Sequence, residues 1–335
     1  MGSGNFRYPD AVEFLKLSEE QSPGLIKEFE DDFFGNNYSE VLYESDEVRV
    51  IDVTLSESLE KEGDNRRVTY VEEEAIGDGI ERVSYRRLEF VKSSMHTQSE
   101  IRLNPESGSP DHASALIFPV HRVMSTLLMA YYAQEHEDPN GREDGPLRLA
   151  MIGAGGCTFP MHLLHLTGAS VLPPLCINAI EPSAEVLDIA QRYFGAAFSV
   201  RDDEKNGLDS YLYMHCMTGE SFFHKQSLKK DKMPFDVVVI DAMMAGSVID
   251  SAAPPSSLLS PTFLSMLKEA LAQKASSHLL VNVIGSADWR ENVKETVHKA
   301  FNRGYEGNEF WKSEIVPAEG AENQSILHFY HDHRL

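Results

Sequence analysis

The chain of 335 residues has only three cysteines, Cys157, Cys176 and Cys216, and no CxxC pair. They are too few and too scattered for a disulfide framework, so reduced thiols in a cytoplasmic protein are expected. Basic residues are also scarce: 30 Lys and Arg stand against 53 Asp and Glu, for a formal net charge of −23. Such a chain is repelled by phosphate backbones and anionic membranes, so nucleic acid and membrane surfaces are not expected as partners. It would attract a cation instead, such as a polyamine, a basic peptide or a basic protein, although the same charge also serves solubility. No apolar run is long enough to span a bilayer. The opening residues MGSGNFRYPD lack the basic region and apolar core of a signal peptide, and Phe6 stands where a myristoylation signal needs Ser or Thr. No P-loop GK[ST] and no GxSxG elbow occurs. The pairs His162/His165 and His331/His333 lack a third partner at metal-ligand spacing, so no metal site is expected.

What is present reads as an acidic arm, a small β domain and a larger α/β domain. Residues 1–46 look helical and acidic, with Phe14, Leu17, Ile26, Phe29 and Phe33 among the apolar contacts. Residues 47–110 form the expected antiparallel β domain. Within it Glu47–Thr54, Arg66–Glu73 and Glu81–Val91 alternate as strands do, and the Gly63-Asp64-Asn65 and Gly77-Asp78-Gly79 linkers suit hairpin turns. A helix is expected over Val120–Gln134, with apolar residues at helical spacing. From 147 onward strands alternate with helices, the mark of a parallel sheet, so 111–335 is assigned to one α/β domain. Strands are expected at 147–152, 176–181, 212–217, 236–241 and 278–284, and helices near 158–167, 183–194, 218–226, 261–274 and 287–302. Phe310–Val316 and Ser325–His331 are expected to close the sheet as an antiparallel pair.

The candidate chemistry gathers at the strand ends. The run Leu147–Ile152 ends in Gly153-Ala154-Gly155-Gly156, where missing side chains and free helix N–H groups can admit a ligand and attract its carboxylate. The next apolar run ends in Glu181, followed by Pro182-Ser183, which suits a ribose diol or a simple helix cap. A dinucleotide site wants a third glycine where Phe159-Pro160 stands, so NAD is disfavoured. Asp241 ends a buried-looking strand in the crevice where open α/β sheets bind ligands, and could orient an amine or accept its proton. After the third strand, Thr218-Gly219 could contact an adenine edge, with Met217 against the ring. Asp202, Asp203 and Glu204 read as a solvated loop.

These segments resemble the spermidine-synthase-like branch of the class I S-adenosylmethionine-dependent methyltransferases. The resemblance rests on Tyr85–Phe90 with Gln98-Ser99-Glu100, on His121–Met124, on Ile152–Gly156 with Pro160, on Ile180–Ser183 with Tyr193–Gly195, and on Phe235–Asp241. It covers about residues 80–330 and is greatest toward the enzymes that methylate a lysine and the N-terminal amine of elongation factor 1-alpha. It implies a Rossmann-like seven-stranded sheet binding S-adenosyl-L-methionine. Gly153, Gly155 and Gly156 would line the methionine end, Glu181 with Pro182 the ribose, Met217, Thr218 and Gly219 the adenine, and Gln98 would lie nearby. Thr218 departs from the acidic residue the family usually carries there. The scaffold also often dimerises. Aminopropyltransferases of this scaffold carry a second acid soon after the catalytic one, whereas Asp241 is followed by Ala242-Met243-Met244-Ala245-Gly246. Methyl transfer to an amine of a basic protein is therefore favoured over polyamine synthesis, with a non-catalytic cofactor-binding module as the remaining alternative.

Overall fold

The computed structural model describes residues 39–62, 65–70, 81–91, 93–113, 116, 118–135, 146–198, 210–229, 234–243, 253–271, 277–303, 311–318 and 324–331. Most of the arm expected over 1–46 and the 202–204 loop lie outside them. The part of the arm that is described is not helical: Ser39–Glu44 is a strand, β1, pairing antiparallel with β2 (Val48–Glu62). Leu42 and Tyr43 pack on an apolar cluster shared by the small sheet and the helix over Ala184–Phe194, which overrides the helical tendency read from the acidic sequence around them.

β1 and β2 continue into β3 (Asn65–Tyr70), β4 (Glu81–Phe90) and β5 (Ser93–Arg102), a five-stranded antiparallel sheet in the order β1-β2-β4-β5 with β3 on β2. Beyond it β6 (Leu147–Ile152), β7 (Leu175–Glu181), β8 (Tyr211–Cys216), β9 (Val237–Ile240), β10 (His278–Ile284), β11 (Trp311–Pro317) and β12 (Gln324–His331) form a second sheet. Its order is β11-β12-β10-β9-β6-β7-β8; β6 to β10 run parallel, while β12 is antiparallel to both β10 and β11. This is the expected Rossmann-like seven-stranded arrangement. The chain leaves β6 toward β7 on one side and returns to β9 on the other, so the crevice of a doubly wound sheet opens between β6 and β9.

Strand alternation divides the core. Leu149, Met151, Val237, Val239, Leu280 and Ile326 share one apolar cluster with Val120, Met124 and Leu128 of α1 (Pro119–Glu135) and Leu163 of α2 (Thr158–Gly168). Ala150, Val238, Ile240, Leu279 and Val281 share another with α4 (Gly219–Ser227), α5 (Pro261–Ala270) and α6 (Ala287–Asn302). These strands are buried on both faces, so they read as continuous apolar runs rather than as alternating ones. Helix α5 is shorter than the expected 261–274: Leu271 is already extended, buried, and bridged to Phe235. Helix α3 (Ala184–Phe194) starts on a Ser183 cap that accepts from Val186 N at 3.2 Å and stops at Gly195, whose φ of 70° only glycine adopts freely.

The two sheets are joined through α3 and the glycine loop. Val186, Ile189 and Phe194 pack against Val48, Val50, Leu88 and Ile101, and full burial of one such side chain contributes about 1.5–3 kcal/mol. Arg86 fixes the angle: its guanidinium pairs with both Asp52 oxygens at 2.7 Å and donates to Tyr193 O at 2.8 Å, at the carboxyl end of α3. Tyr43 adds a hydroxyl bond of 2.8 Å to Glu185.

Candidate functional site

Each loop that leaves the carboxyl end of β6, β7 or β9 brings in one of the expected residues. After β6 the chain turns at Gly153, with φ of 83°. A Cβ there would collide with the Asp241 backbone, 2.7 Å from its carbonyl carbon and 2.8 Å from Ala242 Cα. The glycine is therefore needed so that the β6 and β9 loops can cross, which brings Asp241 against the glycine turn.

Gly155, at φ of 51°, and Gly156 serve a different neighbour. Their added Cβ atoms would meet Ser99 of β5, at 2.8 Å from its Oγ and 3.0 Å from its Cβ. Ser99 is buried, and its Oγ accepts the Gly156 N–H at 2.8 Å. The small sheet thus supplies part of the wall of the glycine loop, and half-buried Gln98 stands at the same edge.

The loop's donors are spent within the protein. Gly153 N donates to Ile180 O at 2.9 Å, Ala154 N to the same oxygen at 3.3 Å, and Cys157 N to Ala154 O at 2.8 Å. Gly155 N donates to Glu181 Oε2 at 3.2 Å. The expectation of free N–H groups in this loop is corrected for Gly153 to Cys157: the turn provides room and shape, and its amides are already paired. Cys157, buried at the start of α2, has its thiol pushed up to about 12 by burial and then by the Glu181 charge, which favours the neutral thiol over the thiolate.

Glu181 ends β7 half-buried, and besides Gly155 its Oε1 accepts the Ser183 N–H at 3.1 Å. Burial raises its pKa above the usual carboxylate value, while the two N–H bonds pull the other way. Two donors leave about half of the carboxylate's acceptor sites open. Pro182 beside it is exposed, and its carbonyl accepts from Cys216 Sγ at 3.6 Å.

Asp241 follows β9 with two close partners from distant parts of the chain. His121 Nε2, in the first turn of α1, lies 2.7 Å from Oδ2, and Asn282 Nδ2, on β10, lies 2.7 Å from Oδ1. The parallel register that pairs Val281 with Ile240 sets Asn282 beside Asp241. Gln324, the first residue of β12, donates to Asn282 Oδ1 at 3.1 Å.

The third-strand candidates are engaged locally. Thr218 is the N-cap of α4, accepting from Ser221 N at 3.2 Å. Gly219 is buried, and a Cβ there would press on Ile152 Cγ2 at 2.8 Å, so this glycine lets α4 pack on β6. Half-buried Met217 packs against the neighbouring apolar cluster. The structure thus gathers the glycine turn, Gln98, Glu181 and Asp241, with Met217 to Gly219 one strand further out. Of the five residues that follow Asp241, Ala242 and Met243 are described and half-buried; Met244, Ala245 and Gly246 lie outside the described residues.

In the sequence His121 and Ser99 stand out only as parts of matching segments, and Asn282 and Gln324 do not stand out at all. A local signal existed for Asn282: an amide inside the apolar run HLLVNVI must find a partner when buried. No group of three or more potential ligands that could hold a metal occurs among the described residues. No described helix is long and apolar enough to cross a membrane.

No family model matches the chain. The chain is 26% identical over 126 residues to the eEF1A lysine and N-terminal methyltransferase of Bos taurus, covering 38% of this chain and 16% of that protein. It is 21% identical over 266 residues to the Drosophila melanogaster homologue of that methyltransferase, covering 72% of this chain and 36% of the relative. The chain therefore spans well under half the length of these curated relatives. Among solved structures it resembles human methyltransferase-like protein 13 in complex with SAH, at 20% identity and a TM-score of 0.46, covering 64% of this chain and 82% of that one. It also resembles a probable spermidine synthase from Corynebacterium glutamicum, at 14% identity and a TM-score of 0.47, covering 89% and 80%. The curated matches bear out the resemblance expected from the sequence.

Proposed function

We propose that the chain is an S-adenosyl-L-methionine-dependent methyltransferase that acts on an amine, a lysine or an N-terminus, of a basic protein, with elongation factor 1-alpha as the first acceptor to test. One observation carries the reading: two partly satisfied carboxylates, Glu181 and Asp241, lie at the ends of β7 and β9 on either side of a glycine turn at the crevice of the sheet, where the first would take a ribose and the second an amine. The curated relatives named as eEF1A methyltransferases support the choice of reaction and acceptor.

The residues present suit the cofactor. Glu181 retains acceptor sites for two adjacent hydroxyls. Gly155 and Gly156 let Ser99 of β5 pack against the loop, so the turn keeps its shape beside Glu181. When bound, the cofactor supplies a methyl already activated on a sulfonium, so the protein needs no covalent nucleophile. Its own work is to hold an uncharged amine in line and to keep water away. Asp241, oriented by two donors, would align the amine and take up its departing proton, while the net charge of −23 would draw in a basic acceptor.

The test has two arms. Calorimetry with S-adenosylmethionine and S-adenosylhomocysteine should show one site; a ligand at ~100 times its dissociation constant stabilises the fold by about 2.7 kcal/mol. Labelled S-adenosylmethionine should then transfer its methyl to elongation factor 1-alpha or to a basic protein in a proteome extract. Binding without transfer would instead support a non-catalytic module, and turnover of decarboxylated S-adenosylmethionine with putrescine would support an aminopropyltransferase.

A further inference from the structure

The side chain of Asp241 is only 15% exposed, and that of His121 only 8%. An ionised carboxylate can only accept, so the 2.7 Å contact from His121 means that Nε2 carries the hydrogen. Likewise the amide nitrogen of Asn282 must face Asp241, and the Gln324 bond to its oxygen holds that orientation. The imidazole is itself clamped. It stacks on Phe159 with centroids 5.0 Å apart and planes 18° from parallel, and meets Phe118 edge-on at 5.5 Å. One donor on each carboxylate oxygen leaves one acceptor site on each for a third partner.

We propose that His121 is a positioning residue for amine methylation, fixing the Asp241 carboxylate so that its remaining acceptor sites face the incoming amine; this rests on the reading given under Proposed function. The acceptor arrives as an ammonium and gives one proton to Asp241, which passes it to water. The freed nitrogen lone pair forms the N–C bond as the C–S bond of S-adenosylmethionine breaks and its electron pair returns to sulfur. One proton is released for each methyl transferred. His121 takes no part in bond making. It prevents the carboxylate from turning away while the amine is aligned, and Asn282 does the same from the other oxygen.

The test compares His121→Phe, which keeps a ring against Phe159 but deletes the donor, with His121→Gln, which restores an N–H. The probe is recombinant elongation factor 1-alpha with labelled S-adenosylmethionine. His121→Phe should lower kcat by about 10²-fold, the scale of a misplaced catalytic group, with KM for the acceptor and cofactor affinity unchanged. His121→Gln should recover most of the loss. Asn282→Leu should give the same split of kcat from KM, and serves if His121→Phe does not fold. Wild-type kcat in His121→Phe, or a loss that His121→Gln does not repair, overturns the positioning role alone. A wild-type protein that binds cofactor but methylates neither the probe nor any basic protein in an extract overturns the amine-methylation reading, and this role with it.

Discussion

Strands β10 and β12 carry two buried polar networks, and only one belongs to the site. At the carboxyl end of β10, Asn282 links Gln324 to Asp241 and, through it, to His121. At the other end, His278 Nδ1 lies 2.7 Å from His328 Nε2, and His328 Nδ1 lies 2.8 Å from Glu314 of β11. Both networks are short, and both sit in otherwise apolar strands. The first holds a carboxylate against the glycine turn, beside the crevice between β6 and β9. The second runs from a half-exposed Glu314 side chain on edge strand β11 inward to His278 of β10, a histidine that burial, and then His328, push down to about 3. Buried polarity is thus common to both. What sets the first apart is a carboxylate at the topological switch point, held by donors that leave part of it free.

The most damaging way to test that contrast is Asp241→Ala. Methyl transfer should fall by about 10²–10⁴-fold, the range for a positioned acid–base group, while calorimetric cofactor affinity stays near wild type. Near-normal turnover would remove Asp241 from the reaction.

Glu181→Ala acts on the cofactor instead. Losing hydrogen bonds to a charged acceptor costs about 1.5–3 kcal/mol, or roughly 10- to 150-fold in dissociation constant. Because burial raises the Glu181 pKa, wild-type affinity should begin to fall on acidification at a higher pH than for an ordinary carboxylate. Protonation replaces an acceptor with an O–H donor, so the sign is a loss toward acid. A Glu181→Gln variant should bind more weakly and lack that acid limb.

Gly153→Ala tests the crossing of the two loops. The left-handed backbone alone costs about 1–3 kcal/mol for a non-glycine residue, and contact with the Asp241 backbone adds to it. A lowered melting temperature should accompany weaker cofactor binding. A variant that melts like wild type would show that the β6 and β9 loops do not meet as described.

The smallest effect is reserved for the second network. His278 titrates at 6.5 when unfolded and about 3 when folded, so below 6.5 the unfolded chain binds a proton that the folded one refuses. Its contribution is intact above pH 6.5 and is lost as pH falls toward 3. His278→Leu should flatten part of that acid decline in melting temperature and leave methyl transfer at neutral pH unchanged. Loss of transfer in this variant would break the distinction between the two networks.

Much of this arrangement was legible in the residues, because strand periodicity and strand-end chemistry are local. Leu147–Ile152 and His278–Ile284 match the expected strands residue for residue, and Gly153, Glu181 and Asp241 stand at expected strand ends. The partners of those residues were not legible. His121 meets Asp241 across 120 positions, Ser99 meets Gly156 across 57, and Asn282 meets Asp241 across 41. Such contacts follow from which strands become neighbours, and no single segment encodes that. Thr218 has a local role that was not read from the residues: it caps α4.

The most direct measurement is methyl transfer itself. Wild type and Asp241→Ala, each shown by calorimetry to bind S-adenosylmethionine, are incubated with the labelled cofactor and elongation factor 1-alpha. Intact and peptide mass spectrometry then locate any added methyl. Methylation at a lysine or N-terminal amine is expected with wild type, and little or none with the variant. Equal labelling by both proteins, or a methyl on an oxygen or carbon, would contradict that expectation.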